Sequence, residues 1–179
     1  VPHVYQELGI KLLVSPKGGG LFLRPGMGKT ALATNMGFNA ASAFKESDTG
    51  TRYKVAFFSM EMSSEQLALR IMAEKSGVSS DRIRRGDIKT DEEFARIVEA
   101  SNEMSTAGFF IDDTPALTIP ALRTRSRRLK RQHGLDLIII DYLQLIEPED
   151  KKTNREQQIA QITRRLKGIA KENSLPVIA

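Results

Sequence analysis

Arg24-Pro25-Gly26-Met27-Gly28-Lys29-Thr30 stands between a short apolar run, Leu21-Phe22-Leu23, and a stretch of helical character. Small residues followed by a lysine and a hydroxyl, where a strand gives way to a helix, suit a loop that wraps a phosphate. Gly26 and Gly28 let backbone N–H groups approach an anion. The helix that begins after Gly28, with Ala31 in its first turn, adds free N–H groups and the positive end of its dipole. In such a loop Lys29 reaches the terminal phosphates of a nucleoside triphosphate, and the Thr30 hydroxyl binds Mg²⁺. The full pattern is Gly, four residues, Gly-Lys, then Ser or Thr. Its first Gly falls at position 23, which is Leu. Residues absent between Gly20 and Arg24 would explain this; the rival is a chance Gly-Lys-Thr at a helix start.

Outward from this loop, apolar runs alternate with helical patterns. Val55-Ala56-Phe57-Phe58-Ser59, Phe109-Phe110-Ile111 and Leu137-Ile138-Ile139-Ile140 are continuous rather than alternating, and Val177-Ile178-Ala179 begins another such run. Continuous runs suit strands buried on both faces of a parallel sheet. Helix starts are signalled by Ser63 with Gln66, Thr90 with Glu93 and Thr153 with Glu156, and Gly77 marks a stop. Ile159, Ile162, Leu166 and Ile169 keep a helical period in the last helix. The expectation is an α/β fold with a mostly parallel central sheet flanked by helices. Residues 1–20, with flexible Ser15-Pro16-Lys17-Gly18-Gly19-Gly20, read as an arm ahead of one domain spanning 21–179.

Two carboxylates complete a candidate catalytic set. Asp141 leaves the run 137–140 at the edge where α/β ligands bind, and there it suits Mg²⁺; a turn cap is the alternative. Glu61 follows the run 55–59 and suits a base that polarises an attacking water; a helix-start charge is the alternative.

Composition narrows the class. The 179 residues are 40% hydrophobic and 27% charged, which fits one ordinary globular domain. The absence of cysteine excludes a disulfide scaffold, a thiolate zinc site and a Cys nucleophile. No apolar run approaches the roughly 20 residues that span a bilayer. The net charge of +5 is uneven: residues 118–179 carry 13 Lys/Arg against 7 Asp/Glu, whereas residues 1–117 carry 14 against 15. A basic C-terminal third suits a polyanion, nucleic acid first. Arg123, Arg125, Arg127, Arg128, Lys130 and Arg131 surround most of a helix after Thr118, which suits a solvated or intersubunit face better than one DNA-facing stripe. Lys151, Lys152 and Arg155, in the polar segment after the Asp141 run, are better DNA candidates. Without Trp and with few aromatics, the grip falls on phosphates rather than on stacked bases.

The stretches 24–30, Phe57 to Ser63, and Leu137 to Leu145 (LIIIDYLQL) resemble the RecA-like motor domain of DnaB-type replicative helicases. Arg82-Ile83-Arg84-Arg85-Gly86 and Leu175-Pro176-Val177-Ile178-Ala179 are similar to that family too. The resemblance implies a P-loop NTPase in a homohexameric ring that hydrolyses ATP or another NTP with Mg²⁺, moves on single-stranded DNA and unwinds duplex at the replication fork. It implies a primase and a helicase loader as partners, and a cytoplasmic, nucleoid-associated site. It assigns Lys29 and Thr30 to the phosphate loop, Glu61 to catalysis and Asp141 to Mg²⁺, with Arg70 supporting Glu61. The family's γ-phosphate sensor, principal DNA loop and arginine finger have no counterpart before Ala179. The alternatives are a related RecA-like recombination ATPase and a non-catalytic, nucleotide-dependent assembly module.

Overall fold

Val55–Ser59 (β3) and Leu137–Asp141 (β5) lie side by side and parallel, and all ten of their residues are buried. The structure is a computed structural model that describes residues 28–45, 48–147 and 154–179. The arm 1–20, the run Leu21–Leu23 and loop residues Arg24–Met27 lie outside the described residues, as do Lys151, Lys152 and Thr153. Phe109–Asp112 (β4) pairs with the other side of β3, and Val177–Ile178 (β6) pairs with β5, giving the order β4-β3-β5-β6. Every pairing in this sheet is parallel, as the continuous runs require. A second, antiparallel sheet joins Phe44–Lys45 (β1) to Asp48–Arg52 (β2). Its strands are short and carry no apolar run, so the sequence holds no signal for them.

Successive strand residues point to opposite faces, and two cores form. Val55, Phe57, Leu137 and Ile139 pack with Ala40 and Ala41 of helix α1 (Lys29–Ser42) and with Leu67 of α2 (Ser64–Ser76). Ala56, Phe58, Ile138 and Ile140 pack with Leu122 of α5 (Ile119–His133) and with Ile162, Leu166 and Ile169 of α6 (Arg155–Asn173). Burying each large apolar side chain contributes roughly 1.5–3 kcal/mol. Helices α3 (Ser80–Arg85) and α4 (Asp91–Thr106) pack outside α2.

Helix ends follow the sequence signals with one exception. Ser63 and Gln66 form the reciprocal box, and Gly77 ends α2 at a φ of 69°. The Glu93 N–H donates to Thr90 Oγ1, and the Ala121 N–H to Thr118 Oγ1. The start expected at Thr153 falls one residue later: Asn154 Oδ1 accepts from the Gln157 N–H at 2.9 Å and α6 begins at Arg155. Asn is the stronger N-cap, because its carbonyl oxygen reaches the third helical N–H without straining the backbone.

The stretch Arg82–Gly86 is tied to the next helix through Arg82. The Arg82 guanidinium donates to both Glu93 oxygens at 2.8 and 2.6 Å and to the Asp87 carbonyl, tying α3 to α4. The Arg82 hydrogen bonds, helped by the Lys89 N–H, hold the Glu93 carboxyl down to about 2. A depressed folded value gives stability that is complete above the ordinary glutamate value and is lost as pH falls. We therefore expect Tm to fall between pH ~4.3 and ~2 partly through Glu93, and Glu93→Gln to flatten that part of a thermal-melt pH series. An unchanged profile would remove this pair from acid stability.

Gly108 has a separate constraint. A Cβ there would lie 2.2 Å from the Tyr53 carbonyl oxygen, a backbone atom. The Gly108 carbonyl also accepts from the Val55 N–H at 2.7 Å, at the start of the central strand. Gly108→Ala should therefore destabilise the fold by roughly 1–3 kcal/mol or more, read as a lower denaturation midpoint.

Candidate nucleotide site

The first residues of α1 meet the C-terminal edge of the sheet. Gly28 takes the left-handed conformation, with a φ of 79°, and among the described residues a Cβ there would meet only Ala31 Cβ within 4.0 Å. No side chain caps α1, and no acid lies in its first turn. Every other α-helix among the described residues has a side-chain cap, from Ser63, Ser79, Thr90, Thr118 or Asn154. The start of α1 therefore offers N–H groups and a dipole end with no side-chain cap among the described residues to take them. Thr30 faces the cleft, and its carbonyl accepts from Thr34 Oγ1 at 2.6 Å. Ala31 lies in the first turn behind them.

The two central strands deliver the carboxylates. Ser59 and Asp141 are register partners, and the Met60 N–H donates to the Asp141 carbonyl at 3.0 Å. Ser59 Oγ donates to the Met62 carbonyl and accepts the Met62 N–H, closing the turn that carries Glu61. Glu61 is exposed and opens on a cleft of about 520 Å³ shared with Gly28, Lys29 and Thr30. Asp141 is 4% exposed, and its Oδ2 has no hydrogen-bond partner among the described residues. A buried carboxylate oxygen without a donor is costly unless a cation or donor meets it.

That oxygen suits a hard cation. Among the described residues no group of three or more His, Asp or Glu residues could hold a metal. Mg²⁺ needs fewer, because it keeps water and takes phosphate oxygens beside one or two protein groups. Thr30 and Asp141 fit that donor chemistry.

Three side chains complete the cleft. Arg70 of α2 lines it, but among the described residues no ion pair joins Arg70 to Glu61. Tyr142 and Gln144, which follow Asp141, line it as well, and the Tyr142 ring centroid lies 5.0 Å from the Lys29 ammonium. Sequence reasoning passed over both, although their places directly after the strand-end acid were a usable signal.

The basic residues are largely engaged within the chain. Arg155 donates to the Gln144 carbonyl and, at 3.3 Å, to Gln158 Oε1. Arg123 and Arg127 share Glu172 of α6. Arg125 bonds both Asp112 oxygens and Thr114 Oγ1. Burial raises the Asp112 carboxyl, but Arg125 and Thr114 outweigh it and hold the group below its ordinary value. Lys130 donates to the Leu135 carbonyl. Arg128 and Arg131 remain exposed. A larger crevice of about 730 Å³, between β4 and α5, has Asp112 and Arg125 in its lining. Because these two charges are paired, chemistry rather than size selects the smaller cleft.

A sequence model of the DnaB-like helicase C terminal domain matches residues 21–179. The replicative DNA helicase DnaB of Rickettsia bellii is 46% identical over 159 residues, covering 87% of this chain and 32% of that protein. The replicative DNA helicase DnaC of Bacillus subtilis is 41% identical over 157 residues, covering 87% and 33%. The chain thus spans about a third of the length of these relatives. Among solved structures, a DnaB-like replicative helicase studied with its primase interactions superposes with a TM-score of 0.76 at 29% identity, covering 87% of this chain and 36% of that one. A separately solved ATPase domain gives 0.77, also at 29% identity, covering 87% and 53%. With the α/β sheet and these matches together, the chain belongs to the DnaB-like helicase C-terminal domain family, and its fold is RecA-like.

Proposed function

We propose that this domain is the ATP-hydrolysing motor of a replicative DNA helicase. The observation that carries the reading is one cleft shared by Lys29 and Thr30 at the start of α1 and by Glu61, which follows a central strand whose last residue, Ser59, is in register with Asp141. The backbone at Gly28 and the Lys29 ammonium bind the β- and γ-phosphates of ATP. Arg24, Pro25, Gly26 and Met27 form the rest of the phosphate loop. Thr30 and Asp141 hold Mg²⁺, which when bound neutralises charge on the phosphate oxygens. Glu61, exposed on the same cleft, orients water for in-line attack on the γ-phosphate. Arg70 flanks Glu61 from α2. In a homohexameric ring an arginine from the next subunit completes such a site.

Single-stranded DNA is the polyanion that the basic third would meet. Arg155 already has partners on Gln144 and Gln158, so the DNA role falls mainly on Lys151 and Lys152. Gripping phosphates suits a motor that must ignore sequence. Primase and a helicase loader are the expected protein partners, in the cytoplasm. The primase expectation is supported by the DnaB-like helicase whose structure was studied with its primase interactions.

In the full chain, Lys29→Ala should abolish turnover while leaving the thermal melt unchanged. Glu61→Gln should bind nucleotide within a few-fold of the parent but lose roughly 10²-fold or more in kcat. Equal activity of Lys29→Ala would overturn the phosphate site. Collapse of nucleotide affinity in Glu61→Gln would make Glu61 a structural group.

Replacing Lys151 and Lys152 together should weaken single-stranded DNA binding alike for every sequence. It should also flatten the log K against log salt slope by up to about 0.7 for each lysine that grips a phosphate. An unchanged slope and affinity would take this segment out of the DNA path.

A further inference from the structure

The turn after β5 makes a contact that the proposed chemistry leaves unused. The Lys29 ammonium lies 5.0 Å from the Tyr142 ring centroid, and both side chains line the nucleotide cleft. Among the described residues Lys29 makes no ion pair, although Glu61 opens on the same cleft. We propose that Tyr142 is a positioning residue for Lys29, its ring face holding the ammonium over the cleft before nucleotide arrives. This rests on reading the cleft as a phosphate site.

The chemistry favours a ring over a carboxylate for this task. A lysine side chain has four rotatable bonds, and ordering it during binding would weaken affinity. A carboxylate partner would order it too, but would repel the incoming phosphates and would have to be displaced. A ring attracts the ammonium through its negative face and carries no net charge. The phosphates can then meet the ammonium while it stays on the ring, with no ion pair to break, so the contact persists in the bound state.

Tyr142 is also held well enough to act as a platform. It follows Asp141, which is locked in register with Ser59. Its carbonyl accepts from the Leu145 N–H at 3.0 Å, closing the helical turn Leu143–Leu145. Ile146, just beyond, is 1% exposed within the core of α5 and α6.

The test compares Tyr142→Leu, Tyr142→Phe and Tyr142→Trp in the full chain, with Lys29→Ala alongside. Affinity for a fluorescent ADP analogue and steady-state kcat and KM are measured. Losing the ring should weaken nucleotide affinity about three- to ten-fold, the range a partly exposed cation–π contact supplies, with kcat at saturation within about two-fold. Phe should match the parent, and Trp should match or exceed it. Tyr142→Leu binding like the parent overturns the inference. So does Tyr142→Phe weakened as much as Tyr142→Leu, since the hydroxyl would then be the active group. If Tyr142→Leu fails to fold by thermal melt, the Phe and Trp variants decide: retention in both supports the ring, and loss in either overturns it. Parent-like affinity in Lys29→Ala would sink the phosphate site itself. Loss in Lys29→Ala with no loss in Tyr142→Leu would sink only the role of Tyr142.

Discussion

The pairing of β3 with β5 is the constraint on which the rest of the site depends. Five consecutive register pairs, Val55↔Leu137 to Ser59↔Asp141, fix the ends of the two strands at one height. The Met60 N–H on the Asp141 carbonyl extends the ladder past Ser59. Asp141 and the turn bearing Glu61 therefore emerge together. A slip of one residue would turn every side chain of one strand to the opposite face. It would carry Phe57 and Phe58 out of their separate cores, and both rings are 0% exposed. The two hydrophobic cores thus hold the two carboxylates in register.

The same sheet seats α1. Gly37 lies against Ile139 and Phe109, so closely that a Cβ there would come within 2.8 Å of Ile139 Cδ1 and 2.9 Å of Phe109 Cε2. The close approach of helix and sheet sets where the start of α1 falls relative to the strand ends. Among the described residues that start has no side-chain cap, at some cost to the isolated helix, and this underlies the phosphate role proposed for it.

Legibility followed burial and periodicity. The runs at 55 and 137 were readable as parallel strands because strands covered on both faces need continuous hydrophobicity, and the half-buried edge strands at 109 and 177 carry shorter runs of the same kind. The hairpin of β1 and β2 was not, since residues 44–52 hold few apolar side chains in no regular alternation. Lys29, Thr30, Glu61 and Asp141 could be singled out as candidates because Lys29 and Thr30 open a helix after a glycine and the two acids follow or end apolar runs. Tyr142 and Gln144 were missed because their place on the cleft depends on where the turn after β5 folds, beside Ile146 in the core. The pair Arg82–Glu93 spans eleven residues and two helices, and no spacing rule reports it.

Charge was the least legible property, for a physical reason. A sequence counts charges, whereas a partner meets only those left uncompensated at the surface. Arg123 and Arg127 converge on the single carboxylate of Glu172, so that group of three carries one net positive charge rather than two separate ones. Arg125 is cancelled by Asp112, and Arg155 is directed at a carbonyl inside its own chain. Half of the six-residue basic cluster on α5 therefore holds α5 against α6 and β4. These arginines act as structural ties that take their geometry from the guanidinium fork. Arg128 and Arg131 alone in that cluster face solvent with no partner among the described residues. Two carboxylates thus offset two of the six positive charges of this cluster, and the arginines they fix are held against α6 and β4 rather than free to follow a nucleic acid.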